Sequence, residues 1–66
     1  MVEFELTWND KVKATDERIV TDPKTGDHSY RFKTKTMQDA RKVVATFMRI
    51  LPEHNFRNHR LKEVKK

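Results

Sequence analysis

Arg31, Lys33 and Lys35 alternate with Tyr30, Phe32 and Thr34 immediately before a helical pattern begins. Cations at every second position project from one side of a strand, where they suit phosphate oxygens. Arg18 and Lys13 fall near them if the preceding strands pair in sequence. The five residues Lys13, Arg18, Arg31, Lys33 and Lys35 form the candidate contact set for an anionic partner. Other chemistry is sparse. His54 and His59 lie five apart with no cysteine or clustered carboxylate beside them, whereas a metal centre needs three or four converging ligands. His28 next to Asp27 reads as an exposed turn neighbour. Asp16 and Glu17 are adjacent and, on a strand, point to opposite faces. No nucleophile elbow is present, and Gly26, the chain's one glycine, cannot build a phosphate-cradling loop. The expectation is a non-enzyme with no catalytic residue, metal or cofactor.

Charge supports the anionic partner. Residues 1–27 hold four Lys/Arg against seven acids, and residues 28–66 hold eleven against three, so a net −3 half precedes a net +8 half. Such asymmetry suits nucleic acid or an acidic protein surface. Phe4, Trp8, Tyr30 and Phe32 all fall on the expected inner face, which leaves no stacking platform for single strands. Duplex DNA stands only marginally ahead of an acidic protein surface, because the cations of the helix and tail are spread around the domain. Trp8, at the end of its strand, is either a core residue closing a hairpin or an interface anchor.

The elements that position these residues belong to a single small α+β domain spanning residues 1–64. A chain of 66 residues buries only about 60% of the surface its unfolded form exposes, and without cysteine no disulfide compensates. A homodimer would thicken so thin a core. The opening segment has neither a basic flank nor a long apolar run, so the expectation is a cytoplasmic chain with no signal peptide and no membrane partner.

Val2, Phe4, Leu6 and Trp8 alternate with polar residues as a half-buried strand. A three-residue loop at 9–11 would return the chain so that Trp8 meets Val12 and Leu6 meets Ala14. Pro23 and Gly26 mark the next turn, which sets Ile19 opposite Tyr30 and Arg18 opposite Arg31. Like charges so opposed destabilise a strand pair, and a bound anion would relieve them. Thr36 reads as an N-cap. Met37, Ala40, Val44, Phe47, Met48 and Leu51 form one helical stripe that Pro52 ends. A last strand is expected near 56–63, with Lys65 and Lys66 as a frayed basic end. The result is a three- to four-stranded, mainly antiparallel sheet (β-β-β-α and a final strand) with one helix on one face.

The passage "RFKTKTMQDA", within Thr21 to Met48, resembles the small arm-type DNA-binding domain at the start of phage integrases, which has a three-stranded sheet and one helix. That resemblance implies DNA contact from Arg31, Lys33 and Lys35. In size and layout the chain also resembles the early proteins by which phages inhibit host enzymes. This second likeness implies a protein-binding regulator that docks on an acidic patch or a strand edge.

Overall fold

The computed structural model describes residues 1–64; the expected frayed end at Lys65 and Lys66 lies outside them. Five elements follow one another: β1 (Val2–Asn9), β2 (Val20–Thr21), β3 (Asp27–Thr34), α1 (Met37–Ile50) and β4 (Arg60–Glu63). The strands form one sheet in the order β2-β3-β1-β4, with every neighbouring pair antiparallel. The α+β architecture with a single helix is the one expected from the alternating and helical periodicities. Among the described residues no helix is long and apolar enough to cross a membrane.

β1 is central. Its alternation places Phe4, Leu6 and Trp8 against the helix, at 1%, 0% and 3% exposure. It pairs along its whole length with β3, Phe4 opposite Phe32, Leu6 opposite Tyr30 and Trp8 opposite His28. On its other side Leu6 meets Leu61 of β4. The expected hairpin of Trp8 with Val12 and Leu6 with Ala14 is therefore corrected: both edges of β1 are taken by distant strands, and the segment after Asn9 makes a long excursion. Asp10 starts that excursion by accepting a hydrogen bond from the Val12 amide at 3.0 Å, a side-chain turn that competes with strand continuation.

The turn between β2 and β3 follows its residue types. Gly26 adopts φ 78°, and its amide donates to the Asp22 carbonyl at 2.9 Å. Val20 opposes Ser29 and Thr21 opposes His28, the register that would bring Ile19 to Tyr30. The ladder stops short of Ile19, however, because the Ile19 amide turns back to the Asp16 carbonyl at 3.0 Å. His28 is corrected from an exposed turn residue to a buried one at 2% exposure. It shares the face of Tyr30 and Phe32, as the two-residue period of a strand demands.

Thr36 caps α1, its hydroxyl accepting from the Asp39 amide at 3.2 Å. Ala40, Val44 and Phe47 are the buried stripe, with Met48 and Leu51 partly covered and Met37 left exposed. The ring of Phe47 stacks on Tyr30 at 4.4 Å between centroids and 7° between planes, which fixes the helix over β3. β4 is shorter than the expected 56–63. Phe56 instead turns inward, 4.8 Å from the Trp8 ring, and the Phe56–His59 turn delivers the chain to Arg60.

Candidate partner-binding surfaces

The five nominated cations do not converge. Arg18 lies on the helix side: its guanidinium sits 5.6 Å from the centroid of Tyr30 and pairs with Asp16 at 2.7 Å. That hydrogen bond holds the Asp16 carboxyl at about 2, and raises the Arg18 pKa in turn. Arg31 projects from the opposite, uncovered face and pairs with Glu5 at 3.0 Å. The expected Arg18–Arg31 juxtaposition is thus corrected. Each arginine has its own carboxylate on its own side of the sheet, and no anion is needed between them. Lys13 belongs to the loop after β1, and Lys35 lies beyond the end of β3.

Arg31 and Lys33 remain together on the uncovered face, where pairing to β1 puts Lys33 opposite Glu3. Two residues outside the nominated set join them. Register with β1 places Lys62 and Arg60 of β4 on the same face, opposite Glu5 and Thr7. Cation rows on β3 and β4 therefore flank an acidic row on β1. Glu5 is the centre of this face, 11% exposed at its side chain, with Arg31 on one carboxylate oxygen and Lys62 on the other at 3.3 Å. Burial pushes its carboxyl up, but the hydrogen bonds and charges of Arg31 and Lys62 outweigh that and leave it below the ordinary value.

Trp8, nominated as an anchor, is a core residue. It is ringed by His28, Phe47, His54 and Phe56, and its indole N–H donates to Asp10 at 3.1 Å. It offers no surface to a partner.

Two features bear on binding instead. The first is at the β4 edge. β4 is the last strand of the sheet, so among the described residues one side of its backbone has no strand beside it. Directly against it runs a groove of about 430 Å³ between α1 and β4, lined by Met37, Val44, Ala45, Met48 and Leu61, with Arg41 and His59 at its rim. Among the described residues Arg41, Arg57 and Arg60 have no carboxylate within salt-bridge distance.

The second is a buried polar knot at the other end of the sheet. Asp10, with its side chain 4% exposed, accepts from five donors. These are His28 Nε2 (2.7 Å), His54 Nδ1 (3.0 Å), Trp8 Nε1 (3.1 Å) and the amides of Val12 and Asn55 (3.0 Å each). A carboxylate is acceptor only, so both imidazole nitrogens facing it carry the proton. The other His28 nitrogen, Nδ1, lies 2.8 Å from the Thr21 hydroxyl, which donates to it when the ring is neutral, whereas buried His54 Nε2 has no partner among the described residues. Burial pushes the Asp10 carboxyl up; the bonds from His54, Asn55, His28 and Val12 outweigh it and draw it below the ordinary value. The sequence contains a signal for His28, the alternation His28, Tyr30, Phe32. For Asp10 and His54 it contains none, because both sit on loops without period.

Comparison with protein families, with curated proteins and with solved structures returns no match for this chain.

Proposed function

We infer that the chain is a non-catalytic binding protein that captures an extended acidic segment of another protein along β4. The observation behind this reading is a strand edge with open backbone groups lying beside an apolar groove with a basic rim. An added strand would satisfy the backbone of Arg60–Glu63, and its alternate side chains would enter the groove. Met37 and Met48 on that floor are soft enough to adapt to different apolar side chains. Arg41 beside the groove and Arg60 on β4 itself favour acidic residues around them.

A second copy of the chain is a poor occupant of this edge. Antiparallel self-pairing that keeps the two faces in register sets Arg60 against Lys62, or one of them against itself, and like charges directly opposed destabilise. The same cations that discourage self-association select an acidic strand.

The test is a titration with a short fluorescent peptide alternating Glu with Leu or Val, followed by anisotropy and by amide shifts. Saturable binding, shifts confined to residues 59–63 and the groove side of α1, and a loss of about tenfold or more in Leu61→Asp and Arg41→Glu support the reading. Equal binding of the counterpart with Lys in place of Glu, or shifts on another face, would overturn it.

Duplex DNA is the second reading, favoured by the cation rows Arg31–Lys33 and Arg60–Lys62 on the uncovered face. A duplex of about 20 base pairs, titrated at about 50 and 200 mM salt, would then bind with affinity falling by orders of magnitude. Loss of that binding in the Lys33→Ala, Arg60→Ala double variant would assign it to this face.

A further inference from the structure

We propose that Asp10, His28 and His54 form a binding site for a divalent transition metal of the zinc class. One ligand atom from each of the three side chains lies within 4.8 Å of the other two, and both histidines are buried. One carboxylate and two imidazoles are a donor set that zinc accepts, with bonds of about 2.0–2.2 Å. At that bond length the edge of a tetrahedron is about 3.3 Å. His28 Nε2 lies 2.7 Å from Oδ1 and His54 Nδ1 3.0 Å from Oδ2, so the two imidazoles face the two oxygens of one carboxylate, and the ion would enter among the three side chains with a small outward shift of the rings.

The surroundings are those of a metal site as well. The Thr21 hydroxyl beside His28 Nδ1 can accept as readily as it donates, so it supports the tautomer in which Nε2 has its lone pair free. The backbone amides of Val12 and Asn55 hold the carboxylate in place. A surface depression of about 360 Å³ has Asp10, Thr21 and His28 in its lining, the side from which an ion would approach.

His54 supplies the independent observation. With its proton on Nδ1, it leaves Nε2 buried without a hydrogen-bond partner among the described residues, in a ring whose centroid lies 5.6 and 5.9 Å from those of Trp8 and Phe56. The ion would take Nδ1 and move the proton to Nε2, which no acceptor or donor among the described residues already occupies. The exchange balances: on His28 the proton passes from Nε2 to Nδ1, on His54 from Nδ1 to Nε2. Asp10 stays ionised, and no proton is released.

The experiment adds ZnCl₂, and separately CoCl₂, to the chelator-treated full chain. A hundredfold excess over Kd should raise Tm by about 10 °C or more, reversibly with EDTA. Cobalt should give visible ligand-field bands of a low-coordinate site. His28→Gln and His54→Gln should lose both responses, and His59→Gln should keep them. Because the first two variants also remove buried contacts, imidazole nitrogen shifts of the unaltered chain give a second readout: zinc should switch His28 from the Nε2–H to the Nδ1–H tautomer. No Tm change and no cobalt bands would overturn the proposal. So would unchanged tautomers with zinc bound, or a response that is lost with His59 instead.

Discussion

Asp10 and His28, eighteen positions apart in sequence, meet at 2.7 Å between Oδ1 and Nε2, with both side chains almost wholly withdrawn from water. This contact joins the loop after β1 to the start of β3. The second carboxylate oxygen does the same for the loop after α1, through His54 and Asn55. One side chain thereby fixes three connections at one end of a sheet that has little core to spare.

Asp10→Asn should therefore be among the most disruptive polar substitutions in the chain. The amide places an NH₂ where a donor already points and removes the charge that the imidazole N–H groups face. Leaving such buried donors unmet costs about 2–4 kcal/mol. Total stability at this length is on the order of 3–10 kcal/mol. Urea unfolding in EDTA is the measurement; a loss below about 1 kcal/mol would show the knot to be incidental.

Acid should weaken the fold for the same reason. Asp10, Glu5 and Asp16 all have folded pKa values below their ordinary ones, so the folded state binds fewer protons than the unfolded state as pH falls. Their contribution is complete above the unfolded values near 4 and is lost as pH falls through the folded values, for Asp16 about 2. Thermal midpoints should be level from about pH 7 to 5 as far as these three groups are concerned, and fall below about 4. The fall should be shallower in Asp10→Asn.

Gly26→Ala should cost about 1–2 kcal/mol, because a residue with a Cβ is strained at positive φ. The new methyl would also lie 3.1 Å from the Asp10 carbonyl oxygen. That oxygen cannot readily retreat, since the Asp10 side chain is held by its five donors. A change in denaturation midpoint with an unchanged m-value would mark the effect as local.

The elements that could be read from the sequence are those whose reasons are local. Thr36 and Asp39 announce a helix start, the Met37–Leu51 stripe its buried face, and Pro23 with Gly26 the turn. Strand partners are a different matter. The two-residue period of β1 says which side chains face inward but not which strand lies beside it, so Val12 and Ala14 read as its partner when β3 and β4 fill both places. The site suffered most from this. Arg18 and Arg31 share a register line but not a face, because the Asp16 turn lifts Arg18 off the strand. Arg60 and Lys62 join Arg31 only through β1, a relationship visible once β4 is known to pair there.

Trp8, the chain's one tryptophan, lies with its indole N–H on Asp10 and its rings against both knot histidines. The protein thus contains its own optical reporter at the point where two loops and the start of β3 are tied. Any event that separates those segments alters the polarity around the one tryptophan. Fluorescence from the unlabelled chain will follow the knot itself, while far-ultraviolet dichroism follows the helix. A gap between the two transitions would reveal the end of the sheet opening before the helix melts.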